Sequence, residues 1–194
     1  MITGLVANAL GYDHGEFDRL QKMQRSLTYG ARRDQKGSVK TTFQTADLGQ
    51  EHLAATKASN NPAWTTWGKI DKRGGGSASK GTAQIYPEYL VRSVYTVAFT
   101  CHISPDRIAK ALQYPERPLF IGRKTCLPAC QLYVGQADHD SVQAALTDFW
   151  PDGQETCPIW HEDTSGSIIA HDMRSWKNDI FSGQRVVRRQ TLSA

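Results

Sequence analysis

The segment Pro118-Leu119-Phe120-Ile121-Gly122-Arg123-Lys124-Thr125-Cys126 concentrates side chains able to do chemistry. It is a proline-led loop in which two adjacent cations follow a glycine. Gly122 allows the backbone to come close to a ligand. Arg123 offers a planar fork to a phosphate, and Lys124 offers a point charge. Phe120 presents a ring on which a nucleobase can stack. Taken alone, the same segment also fits a surface loop whose Phe and Cys simply belong to the core.

Further cations cluster along the chain. Between Arg19 and Lys40 there are seven basic residues and a single acid, Asp34, so the modest net charge of +4 is unevenly spread. Arg32 and Arg33 fall in this stretch, as ligand contacts or as an ordinary strand end. A second cluster holds Lys69, Lys72, Arg73 and Lys80, and a third runs from Arg174 to Arg189. Residues 138–163 contain no Lys or Arg. Segregation of this kind suits a phosphate backbone on one face; a solvated surface produces it too.

The elements that must position these groups follow from periodicity. Ile2, Leu5, Val6, Ala9 and Leu10 have helical spacing, ended by Gly11. A second helix is expected from about Asp13, with Glu16 completing a capping box and Phe17, Leu20 and Met23 buried. Strands are expected at 27–31, 39–43 and 94–101. Ser104-Pro105-Asp106 starts a helix whose stripe is Ile108, Ala111 and Leu112. A short strand is expected at 132–134. A helix follows from Asp140 carrying Val142, Ala145, Leu146 and Phe149, and then strands at 157–160, 167–170 and 184–188.

Residues 46–84 break this pattern. They have no apolar period, two tryptophans (Trp64 and Trp67) and a Gly/Ser tract flanked by Lys72, Arg73 and Lys80. A loop of this length in a compact domain is usually functional or disordered. The composition, 39% hydrophobic and 22% charged, excludes collagen, coiled coil and wholesale disorder, and no apolar run reaches membrane-span length. Four cysteines without a secretory signal predict reduced thiols and a cytoplasmic protein. Strands alternating with helices predict an α+β fold such as the ferredoxin-like (RRM-like) sandwich.

Four pieces of sequence resemble the CasD family of the RAMP superfamily, the subunit of type I-E CRISPR Cascade that holds the 5′ end of the guide RNA. Gly4-Leu5-Val6-Ala7-Asn8-Ala9-Leu10-Gly11 resembles the family's Gly-Leu-Leu helix. Pro87-Glu88-Tyr89-Leu90 with Tyr95-Thr96-Val97-Ala98 resembles its Glu-Tyr-Leu and following strand. Ile121-Gly122-Arg123-Lys124-Thr125-Cys126-Leu127-Pro128 resembles its Leu-Gly-Arg-Arg-Ser-Cys-Pro, and Arg185-Val186-Val187-Arg188 its terminal strand. Phe120 stands where family members commonly carry Tyr. The family also has a first strand and a basic turn ahead of the Gly-Leu-Leu helix, whereas this sequence begins at that helix; one sheet edge is therefore expected to be free.

The resemblance implies a single RAMP-type domain with a ferredoxin-like palm (1–35 and 87–194), a C-terminal β segment and a thumb hairpin inserted at about 36–86. It implies a non-catalytic role without cofactor. The partners would be the 5′ handle of the crRNA, the large and backbone subunits and, indirectly, target DNA, with no membrane partner. Candidate RNA contacts are Phe120, Gly122, Arg123, Lys124, Arg32, Arg33, Lys40, Lys69, Lys72, Arg73 and Lys80, with Trp64 and Trp67 as thumb aromatics.

Three other readings remain open at this point. Metal-independent cleavage of precursor RNA would need an acid–base side chain near the phosphate. The six histidines are scattered, none beside the Gly-Arg-Lys loop in sequence. Cys126, Cys130, Cys157 and His161 supply zinc-type ligands, but at loose spacing. A structural cap with little RNA contact is the third.

Overall fold

A computed structural model describes residues 1–46, 62–64, 70–72, 83–122 and 126–193, with backbone alone at 45–46, 62–64, 70–72 and 83–84. In chain order the elements are α1 Ile2–Ala9, α2 Phe17–Ser26, β1 Thr28–Gln35, β2 Ser38–Thr41, β3 Gln44–Ala46, β4 Pro62–Trp64, β5 Ile70–Lys72, β6 Ala83–Ile85, β7 Glu88–Val91, β8 Val94–Thr100, α3 Pro105–Gln113, α4 Val142–Ala145, β9 Thr156–Glu162, β10 Ile168–Ser175 and β11 Ile180–Ser193. They form two compact units, residues 1–36 with 94–194, and residues 37–93. Among the described residues no helix is long and apolar enough to cross a membrane.

Local chemistry sets the helix ends of the first unit. Gly11 takes φ +75, and the Gly11 and Tyr12 amides donate to the carbonyls of Asn8 and Ala7. That is a Schellman closure, which requires a left-handed residue after the helix. Before α2, the Glu16 carboxylate accepts from the Asp13 amide at 2.7 Å. The Ser104 hydroxyl accepts from the Arg107 amide at the start of α3. Val6, Ala7, Tyr12, Leu20, Met23, Ile103, Ile108 and Trp176 make one core cluster, with Phe99 packed against it. Phe17, expected to be buried, is instead 37% exposed and meets His14 edge-on.

The sheet of this unit has the order β10-β11-β9-β1-β8 and is antiparallel throughout. The fold is therefore mixed α and β around an antiparallel sheet, and β8 is one of its edges. In the register Ala31 lies between Val97 of β8 and Trp160 of β9. Alternation sorts the side chains. Gly30, Arg32 and Asp34 are buried on one face, where Leu146 packs beside Gly30. Tyr29, Ala31 and Arg33 occupy the other.

Two expected elements differ. The helix from 140 stops at Ala145, and Phe149 takes φ +51 with its ring exposed. Its would-be later turns are held another way: the Arg32 guanidinium collects the carbonyls of Leu146, Asp148 and Phe149, turning them inward out of a helical ladder. The expected strand at 132–134 is irregular, and Val134 is exposed. Among the described residues its three residues pair with no strand.

In the second unit the described strands nest as antiparallel pairs, β2 with β7, β3 with β6 and β4 with β5. The unit spans residues 37–93, against 36–86 expected for the excursion. Gly37, at φ +66, fits where a Cβ would lie 2.5 Å from the Val91 carbonyl oxygen.

Candidate nucleic-acid interface

The loop that opens at Pro118 is built on the C-terminus of α1. Closing that helix with Gly11 leaves carbonyls and side chains free to bind the chain leaving α3. The Glu116 amide donates to the Ala9 carbonyl at 3.0 Å. Arg117 donates to the Tyr12 carbonyl at 2.8 Å and pairs with Asp13 at 2.5 Å. The Asn8 side-chain amide donates to the Pro118 carbonyl at 2.6 Å. Leu119 then buries its side chain and Phe120 is half-buried.

Beyond this anchor the chain turns outward. Ile121 and Gly122 are exposed, and Gly122 takes φ +80 with nothing within 4 Å of a would-be Cβ. The Ile121 amide donates to the Cys126 carbonyl at 2.8 Å, clasping the loop shut. Arg123 and Lys124 sit between these clasp points in sequence and lie outside the described residues. So do Lys69, Arg73, Lys80 and Trp67. Trp64 and Lys72 are placed by backbone alone, in the paired strands β4 and β5. Lys40 is exposed on β2 of the second unit, opposite Tyr89.

Arg32 requires a correction. It is fully buried, 0% exposed, and ion-paired to Asp34 at 2.6 Å. Its remaining donors reach the carbonyls of Leu146, Asp148 and Phe149, and it lies 5.0 Å from the Trp150 ring. The Thr96 hydroxyl donates to the other Asp34 oxygen at 2.5 Å. A guanidinium with its fork occupied on every side holds segment 146–149 to the sheet and leaves no donor for a phosphate. Arg33 emerges on the opposite face, half-buried, with its guanidinium carbon 5.6 Å from the Trp160 ring centroid.

The zinc-type residues do not converge. Cys130 is exposed, and Cys157 is buried with its thiol donating to Gln154 at 3.0 Å. Burial, and then the nearby Asp34 carboxylate, push the Cys157 thiol pKa up. Among the described residues no group of three or more His, Cys, Asp or Glu could hold a metal ion, and all four cysteines are free. On the same face as Arg33, Tyr29 donates to Asp172 at 2.8 Å. Burial raises its phenol pKa well above the ordinary range, and the carboxylate adds to the effect. Asn8 and Arg117, which set the loop, carry no signal of that role in sequence, because each partner lies more than one hundred residues away.

A family model described as CRISPR-associated protein (Cas_Cas5) matches residues 1–188. The chain belongs to the Cas_Cas5 family. Solved structures align with this family member over nearly its whole length. A chain from a structure described as "CRISPR RNA-guided surveillance complex" is 21% identical, with a TM-score of 0.67, covering 99% of this chain and 77% of that one. A second, "Crystal structure of Cas protein", is 18% identical with a TM-score of 0.57, covering 99% and 78%. At these identities the likeness is one of fold. A search of curated protein sequences gives no match.

Proposed function

We propose that this chain binds and caps the 5′ handle of the guide RNA as the non-catalytic, CasD-like subunit of a cytoplasmic type I-E CRISPR effector. In that role it helps to anchor the large and backbone subunits, with a ferredoxin-like palm in the first unit and a thumb hairpin in the second. Membership of a CRISPR-associated family supports the setting, and the fold shared with a chain of an RNA-guided surveillance complex supports a place in such an assembly. The observation that carries the RNA assignment is the clasped loop. It is anchored by Asn8 and Arg117, half-buries Phe120, and exposes a left-handed Gly122 directly before Arg123 and Lys124. Exposed backbone at Gly122 followed in sequence by two cations suits recognition of a single-stranded RNA end.

A non-catalytic role is favoured because several histidines already have structural partners. His102 is hydrogen-bonded to Ser26, His139 is paired with Asp148, His14 is paired with Asp179, and His161 is buried.

The test uses full-length guide RNA and two truncations, one without its 5′ handle and one without its 3′ end, with the RNA recovered on a denaturing gel. The proposal expects binding to need the 5′ handle and the RNA to return intact. A discrete metal-independent product would favour the endoribonuclease reading, and equal binding to both truncations would remove the handle assignment.

A further inference from the structure

Six arginines lie on the strands of the five-stranded sheet, and four have carboxylate partners. Arg32 pairs with Asp34, Arg174 with Asp179, Arg185 with Glu162 and Asp172, and Arg188 with Asp163. Arg33 and Arg189 are the exceptions: among the described residues neither forms an ion pair. Both instead approach one indole. The Arg33 guanidinium carbon lies 5.6 Å from the Trp160 ring centroid and that of Arg189 lies 5.7 Å away.

The register puts these groups on one face. Trp160 stands opposite Ala31 of β1 and Arg189 of β11, while Arg33 stands opposite Tyr95 of β8, and Ala31 opposite Val97. Directly opposed residues share a face of the sheet. Tyr95 is 43% exposed and Val97 37%. Toward the other end of this face Phe99 packs into the helical core, and Tyr29 is engaged by Asp172. Glu162, the nearest acid on this face of β9, is already taken by Arg185.

We propose that Arg33, Tyr95, Trp160 and Arg189 form a second RNA contact, a sheet-face platform on which an unpaired base stacks while the two arginines meet flanking phosphates. The inference rests on the reading of the chain as an RNA-binding subunit, and it names a surface separate from the clasped loop. Two unneutralised guanidiniums call for an anionic partner, and the indole between them and the phenol beside Arg33 on β8 add π-faces that an acidic peptide would not use. Bases of any identity stack on such rings, so the contact tolerates sequence. Arg33 thereby becomes a sheet-face contact.

The experiment crosslinks the full chain to single-stranded repeat RNA carrying 5-bromouracil and maps the adducts by mass spectrometry. It also measures RNA affinity for Trp160→Leu, Trp160→Phe and the double variant Arg33→Gln/Arg189→Gln. Expected are adducts at Trp160 or Tyr95, about a tenfold affinity loss for Trp160→Leu and rescue by Trp160→Phe. The double variant should lower the salt slope by roughly 1.4, about 0.7 for each phosphate no longer neutralised. If Trp160→Leu fails to fold, the crosslinks and the arginine pair decide the matter. Unchanged affinity and slope, with adducts confined to the 118–126 loop, would overturn the platform and leave the proposed function standing. No RNA bound by the wild-type chain would overturn both. Protection of this face from hydrogen exchange by a partner subunit, and not by RNA, would also overturn the platform and make the face a protein interface.

Discussion

Arg32 and Arg33 are consecutive residues of β1 that leave the strand on opposite faces, one bound 2.6 Å from Asp34 with no exposed surface, the other 5.6 Å from the Trp160 ring. The two-residue period of a strand makes this separation unavoidable. Identical side chains thus divide into one that ties segment 146–149 to the sheet and one that faces outward.

Arg32→Leu should therefore lower stability by about 3–5 kcal/mol, because it leaves the buried Asp34 carboxylate without its counter-charge and the carbonyls of Leu146, Asp148 and Phe149 without that donor. Arg33→Gln should change stability by no more than about 0.5 kcal/mol. Urea unfolding of both variants checks the contrast. Equal losses would mean that the two side chains do not differ in role.

Asn8→Ala removes the hydrogen bond to the Pro118 carbonyl, a loss of about 0.5–1.5 kcal/mol. Its specific signature is faster hydrogen exchange at the Ile121 amide, whose bond to Cys126 closes the loop. Exchange at Ile121 that stays at the wild-type rate would separate the anchor from the clasp.

Gly122 has φ +80 in open space, so a substitution there acts through backbone strain alone. Gly122→Ala should cost about 1–2 kcal/mol locally, and Gly122→Asn should recover much of it, since Asn tolerates the left-handed region. Gly37→Ala should be worse, because its Cβ would also meet the Val91 carbonyl at 2.5 Å. Thermal melts of the three variants rank them.

Cys157 and Cys130 should differ in reactivity. Cys157 is fully buried and its thiol pKa is raised, so little thiolate is present at pH 8 in the folded protein. Iodoacetamide should label exposed Cys130 quickly and reach Cys157 only on unfolding. A raised folded pKa keeps its contribution intact below the unfolded thiol value, about 8.5. That contribution is lost as pH rises further toward the folded value. Stability should decline on the alkaline side, and a Cys157→Ala variant should show a smaller decline.

What the sequence reveals here is what local chemistry decides. Gly11 ends α1, and Ser104 with Pro105 starts α3, because cap residues act on neighbours within a turn. The strand at 94–100 follows from a run of β-branched and aromatic residues, whereas β1 runs past the expected 27–31 through Arg32, Arg33, Asp34 and Gln35, which carry no strand signal of their own. The end of α4 is hidden, because Arg32 takes its carbonyls from more than one hundred residues away. The same distance hides the Asn8 anchor of the loop. The opposite placement of Arg32 and Arg33 depends on which face the 142–154 segment covers, and no property of the Arg-Arg pair itself encodes that.

The central claim, that this chain holds guide RNA through the loop after Pro118, is tested most directly by the salt dependence of repeat-RNA binding for the wild-type chain and an Arg123→Ala/Lys124→Ala variant. On a single strand, each phosphate left without its cation lowers the slope of log affinity against log salt by about 0.7. Expected for the variant are a slope reduced by roughly 1.4, weaker binding at every salt concentration and an unaltered unfolding transition. A variant that unfolds like the wild type and binds with the same slope would contradict it.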